Sequence, residues 1–177
     1  MLVSLFILLA GTAAPASSDD LHFEIPPGWL DLSPGAPEKN FAGIPAEMAR
    51  LARASRFAAA AFDLAGAQNG YASNFTDLVT DETTRIGESD VQKVADALVP
   101  ETAKGQSSER GRIQIGSVGC LRAVFDSDQQ GHPLRHLVYV MPAGSRTAIL
   151  TFTARREAFD RYLAAFERVA HATQGLS

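Results

Sequence analysis

The sequence predicts an α+β fold, an antiparallel sheet of about six to seven strands with a meander in its C-terminal half, packed against helices. Three observations carry that expectation. Four strand-like runs, 112–118, 121–126, 134–141 and 146–153, follow one another through short connections rich in turn residues, whereas a parallel crossover needs about a dozen residues. The third run is apolar on both faces, Val138 and Val140 against Leu137, Tyr139 and Met141, which places it centrally in the sheet with material packed on each side. The chain then closes on 155–173, where Phe159, Tyr162, Leu163, Phe166 and Val169 recur at helical spacing and form the apolar stripe of a helix laid on a core.

Composition fits such a domain. At 177 residues, 46% hydrophobic and 20% charged, the chain has the make-up of an ordinary globular protein and a length that suits one domain of roughly 150 residues. A formal net charge of -4 and a pI near 5.5 leave no basic footprint for a phosphate backbone, so no nucleic-acid partner is expected. The lone cysteine, Cys120, excludes an intramolecular disulfide and any Cys-rich zinc or iron–sulfur centre.

Residues 1–16 read as a signal peptide. An apolar run over 2–10 leads to the small residues Ala14 and Ala16, with cleavage expected after Ala16, because small side chains suit the peptidase pockets. The run is about half the length that spans a bilayer. Thr12 follows Leu9-Ala10-Gly11 where a lipoprotein would carry its lipidated cysteine, so no stable membrane anchor is expected. The mature chain, 17–177, is read as a single exported domain, periplasmic or secreted.

Residues 21–25 alternate apolar and polar side chains, the pattern of a half-buried strand. Pro26-Pro27-Gly28 ends it and delivers Trp29 to cap the core, since Pro27 cannot donate to a ladder. Residues 33–45 read as a loop and 45–54 as a short helix with Arg50 and Arg53 toward solvent. Helix propensity alone would extend that helix through the alanines of 56–64. Gln68-Asn69-Gly70 is, however, a hairpin signal, and Tyr71, Ser73, Phe75 and Val79 follow at strand spacing, so 57–64 and 71–79 are read as a hairpin. Its alanines then mark a strand face pressed close by another element. Ser89 and Gln92 form a capping box for a helix over 89–104, which Pro100 kinks or ends, and 105–111 is a polar loop.

Residues able to do chemistry are sparse. His22, His132, His136 and His171 fall on different elements or at uncertain angles, with no carboxylate or thiolate beside them in metal-ligand spacing, so no metal site is expected. Gly116-Ser117-Val118-Gly119 is followed by a strand and so lacks the strand–turn–helix of a nucleophile elbow. Asp126 and Asp128 sit at a hairpin end with Gln129 and Gln130, a solvated turn rather than a calcium loop. Cys120 has no neighbour that would activate a thiolate and reads as a buried small hydrophobe. Arg155 and Arg156 stand at the start of the last helix, where the macrodipole disfavours cations, with Glu157 offsetting part of the cost. No catalytic, cofactor-binding or metal residue is therefore assigned.

Taken in order, Phe23-Glu24-Ile25-Pro26-Pro27-Gly28-Trp29, Val138-Tyr139-Val140-Met141-Pro142-Ala143-Gly144, and Ala148-Ile149-Leu150-Thr151-Phe152-Thr153 leading into Phe159 to Val169 resemble the PsbP-like superfamily, including DcrB-like exported bacterial proteins. The resemblance covers nearly all of the mature chain. It implies an antiparallel sheet packed on helices and a small accessory or binding protein, among relatives that stabilise photosystems, reside in bacterial envelopes or act as chaperones for type VI secretion. The function expected is a non-enzymatic exported accessory or binding module with a protein partner. The alternatives are a chaperone-like partner of a secreted protein and a small hydrolase using Cys120 or a His/carboxylate pair.

Overall fold

The computed structural model describes residues 21–54, 57–68, 70–80, 107–129 and 131–174. The expected signal peptide 1–16 and the expected helix 89–104 lie outside the described residues. The elements are β1 (Leu30–Asp31), α1 (Ala46–Ala54), β2 (Phe57–Gln68), β3 (Tyr71–Thr80), β4 (Ser107–Ile115), β5 (Val118–Gln129), β6 (His132–Ala143), β7 (Arg146–Arg155) and α2 (Phe159–Ala172), with single 3-10 turns at Glu38–Asn40 and Arg156–Ala158. One seven-stranded sheet runs in the order β1-β2-β3-β7-β6-β5-β4. Every neighbouring pair is antiparallel. The C-terminal strands form the expected meander, and the hairpin β2–β3 joins it through β3 and β7, so that β6 lies inside the sheet as its two apolar faces require.

Period-two alternation sorts these strands onto two faces. On one, Phe75 of β3, Leu137, Tyr139 and Met141 of β6 and Leu150 and Phe152 of β7 meet the stripe of α2. Phe166 is fully buried there, 4.9 Å from Phe152 between ring centroids and stacked on Tyr162 at 5.8 Å. Trp29 closes this core as expected, its ring edge-on to both Tyr162 and Phe166 at 6.1 Å. On the other face, Ala60 and Phe62 of β2 pack with Leu32, Ala52 and the half-buried Phe41 and Ile44. The alanines are thus pressed from both sides, Ala59 and Ala61 toward the α2 core and Ala60 toward the α1 segment. Packing of small residues overrides their helix propensity.

Several boundaries differ from those expected. Residues 21–25 are no ladder strand, since only a single bridge joins His22 to Gln174. Their alternation is nonetheless physical, because Leu21 is buried and His22 and Glu24 are exposed. It records one side resting on the core, while β1 holds the place beside β2. The run 112–118 is cut by a two-residue turn at Gly116-Ser117, Gly116 taking φ +59, a left-handed conformation that glycine adopts without steric cost. Val118 therefore begins β5, and β4 starts at Ser107, inside the expected polar loop. β2 continues past Leu64 to Gln68 through an irregularity between Asp63 and Gln68. At the other end, Arg155 is the last residue of β7 and α2 begins only at Phe159.

Candidate functional site

Among the described residues, a buried polar constellation lies on the sheet face opposite α2. The register sets His136 of β6 between Phe125 of β5 and Thr153 of β7. Its imidazole stacks on the Phe125 ring at 4.7 Å. Nε2 lies 2.8 Å from Ser127 Oγ, and Nδ1 lies 3.0 Å from Thr153 Oγ1. The Tyr71 hydroxyl, bonded to Thr153, also accepts from Asn74 Nδ2 at 3.1 Å. A continuous hydrogen-bonded chain therefore crosses β3, β7, β6 and β5. Burial pushes the His136 pKa down to about 4, the Asp126 charge acting weakly against it, so the ring is neutral at pH 7. One ring nitrogen then donates and the other accepts, and rotating hydroxyls supply the complementary partners. Burial likewise raises the Tyr71 phenol.

A hydroxyl beside an imidazole has the atoms of a nucleophile and its base. Here the pair is enclosed, with Ser127 8% and His136 4% exposed, and a hydroxyl rather than a carboxylate orients the ring. The arrangement suits cohesion of the sheet, where a fully satisfied network rigidifies a unique structure. Ser127, Thr153, Tyr71 and Asn74 carry no mark in the sequence beyond polar residues at strand spacing.

Other expected candidates are dispersed. Cys120 is wholly buried in the α2 core, its Sγ 3.5 Å from the Val118 carbonyl, and burial pushes the thiol up to about 11. It is a packing thiol. His22 and His171 are exposed, while His132 lies by Tyr71 at 6.3 Å between ring centroids. His132 and His136 are on one strand, about 13 Å apart at 3.3 Å per residue. Among the described residues no group of three His, Cys, Asp or Glu is placed to hold a metal ion.

The charges flagged near the last helix are compensated within the fold. Arg135 binds Asp126 with both ends of its fork, Nε to Oδ1 at 2.6 Å and Nη2 to Oδ2 at 2.9 Å, and Arg156 Nη1 stands 3.6 Å from the same carboxylate. The Arg135 hydrogen bonds hold Asp126 below the usual carboxylate range. Arg155 Nε lies 2.7 Å from Glu157 Oε1, an ion pair by distance although off the hydrogen-bond axis. Asp128 caps the turn by accepting the Gly131 N–H at 3.0 Å. Neither aspartate is thus arranged as a calcium ligand. Across the sheet, Asp63 accepts the Gly66 N–H and the Tyr162 O–H, both at 2.8 Å, tying the irregular end of β2 to α2. A Cβ at Gly66 would collide with that carboxylate and with the phenol oxygen.

Asp77 of β3 lacks such partners altogether. It is fully buried on the α2 side, opposite Ala59 and Leu150, and neither carboxyl oxygen has a hydrogen-bond partner. Burial alone pushes its pKa up to about 8, so at neutral pH it is mostly the uncharged acid.

The architecture recurs in solved structures at low identity. LpqN, involved in cell envelope biogenesis of Mycobacterium tuberculosis, is 12% identical, with a TM-score of 0.57 over 87% of this chain and 82% of its own. The cyanobacterial PsbP (CyanoP) of Synechocystis is 12% identical, with a TM-score of 0.51 over 92% and 90%. A protein of Bacteroides thetaiotaomicron is 10% identical, at 0.51, over 93% of this chain and 48% of its own. The chain has a PsbP-like fold. No protein-family model matches the sequence, and no curated protein matches it.

Proposed function

We propose that this chain is a small exported accessory or binding protein, not an enzyme, that acts through a protein partner. One observation carries the reading: the side chains with the most chemical capability are folded into the interior in uncharged form. Cys120 is a thiol, His136 a neutral imidazole and Asp77 a protonated acid, whereas catalytic groups need a reactive protonation state within reach of substrate. The fold shared with LpqN and CyanoP supports an accessory role, and residues 1–16 support export. Among the described residues no helix is long and apolar enough to cross a membrane.

The test is recovery of the native protein from the envelope fraction of its host, cross-linked and without residues 1–16. A stoichiometric protein partner is the expected result. Recovery of the intact chain, Met1 included, from the cytosol overturns export. Rapid labelling of Cys120 by a thiol reagent at pH 7, with loss of a hydrolytic activity, overturns the non-enzymatic reading.

A further inference from the structure

On the α2 side β3 presents Phe75, Asp77 and Val79 in succession, the spacing of one strand face. The segment 21–29 lies across that face. Phe23 is 6.4 Å from Phe75 between ring centroids and packs against the cluster of Leu21, Val79 and Ala148. Phe75 and Val79 are the same-face neighbours of Asp77, so Phe23 packs on groups that flank the carboxyl along β3 on both sides. The strap belongs to no ladder. Its backbone is tied by two hydrogen bonds to Gln174, His22 N–H to O at 3.3 Å and Gln174 N–H to the His22 carbonyl at 3.1 Å. Apolar packing also holds it, through the buried Leu21, through Ile25 and through ring contacts that include Trp29 on Phe75 at 6.3 Å. β3, in contrast, is paired along both edges, with β2 and with β7.

We propose that residues 21–29 form a proton-latched cover: while Asp77 keeps its proton the strap stays down on β3, and loss of that proton lifts it, exposing Phe23, Trp29 and Phe75. A carboxylate cannot remain in an apolar interior without partners. Among the described residues the route to water that breaks least structure is through the strap, because the other covers of Asp77 are α2, set in a continuous aromatic core, and the paired strands on either side of β3. Among the described residues no charge offers compensation. β7 presents Ala148, Leu150 and Phe152 on this face and β2 presents Ala59 and Ala61. The titratable group beyond those alanines, Asp63, is engaged with Gly66 and Tyr162, the one titratable residue of the α2 stripe, while His22 and Glu24 of the strap are exposed. Opening the strap also uncovers aromatic surface, a means by which a binding protein can present its contact face only above a given pH.

The experiment is pH-resolved hydrogen exchange on the full chain, with rates corrected for base catalysis of the chemical step. With the strap closed Asp77 titrates near 8 and, once hydrated, near 4, so the opening constant of the strap should rise about tenfold per pH unit between those values and level off above them. The amides of His22 and Gln174, whose hydrogen bonds tie the strap down, should show that slope while exchanging much faster than those of β6. Trp29 quenching by acrylamide should increase in parallel from pH 5 to 8. In Asp77→Asn and Asp77→Val the strap slope should vanish. A pH-independent strap opening beside a pH-dependent β6 overturns the proposal, because Asp77 would then meet water only on global unfolding. Retention of the slope in either variant also overturns it. Should neither variant fold, the wild-type comparison of strap and β6 decides alone.

Discussion

His136 and Asp77 are both buried, both titratable and both on inner strands of one sheet, yet they stand on opposite faces in opposite conditions. Each imidazole nitrogen of His136 meets a hydroxyl, at 2.8 and 3.0 Å, while neither oxygen of Asp77 meets anything. Desolvation makes both groups neutral at pH 7, so neutrality does not distinguish them. Partnership does. A satisfied network holds four strands in register, whereas an orphaned acid marks the place where a small shift toward water gains most.

The largest test of this contrast is the pH dependence of global stability. Asp77 binds a proton in the native state up to about pH 8, while in the unfolded chain it loses that proton near 3.9. Its contribution is therefore full at low pH and declines as pH rises across that window, by up to about 1.4 kcal/mol per unit. His136 works the other way. Its native pKa is pushed down to about 4 from roughly 6.5 unfolded, so its contribution is present above about 6.5 and is lost as pH falls toward 4. Urea midpoints should then be nearly level from pH 4.5 to 6.5, where the slopes cancel, and fall from 6.5 to 8, where only Asp77 titrates. In Asp77→Asn the pattern should invert, level above 6.5 and dropping by about 2–3 kcal/mol toward pH 4. A wild-type midpoint that does not change between pH 6.5 and 8 would show that Asp77 is not the neutral orphan the packing implies.

A smaller effect separates the two faces at fixed pH. Thr153→Val keeps the shape of the side chain but removes the hydroxyl that serves His136 Nδ1 and Tyr71. It should lower stability by about 1–3 kcal/mol, the cost of a buried polar group left unpaired. Asp77→Val, which removes an unpaired group, should be neutral or stabilising at pH 7. If both substitutions destabilise equally, the satisfied and orphaned groups do not differ as described.

Much of this fold is legible in the sequence for local reasons. The stripe Phe159, Tyr162, Phe166 and Val169 repeats within a few turns, and Gly70 marks its hairpin by itself. Only the first half of β4 was hidden, because in this edge strand Glu109 and Arg110 are both exposed, so alternation begins only at Gly111, close to where the expected run 112–118 starts. The strap misleads in the opposite sense, alternating without pairing. Of the polar groups, Asp77 was recoverable, since the spacing that turns Phe75 and Val79 inward turns Asp77 inward too. The His136 network was not. Ser127 and Thr153 are 9 and 17 residues away; the meander that sets β5, β6 and β7 side by side was expected, but the register that brings these three residues level, and the place of β3 with Tyr71 beside β7, are encoded in no local pattern.

The surface end of the comparison is Arg135–Asp126, charged and partnered where His136 is neutral and partnered. Arg135 is 28% and Asp126 15% exposed at the side chain, so solvent screens the pair and its strength should lie within about 1 kcal/mol. Arg135→Met retains the apolar stem near the Phe159 ring, which the guanidinium overlies at 5.8 Å, and removes the fork. It should cost no more than that amount in low salt and less in 1 M salt, where screening acts over about 3 Å. Without its main hydrogen-bond donor, the Asp126 pKa should return toward the ordinary carboxylate range, readable by carboxyl NMR titration, with Arg156 at 3.6 Å holding part of the depression. Because Asp126 is the charge that opposes the lowering of the His136 pKa, the acid limb of the stability curve should scarcely move. A marked shift of that limb would mean the buried network is governed by surface charge rather than by its own partners.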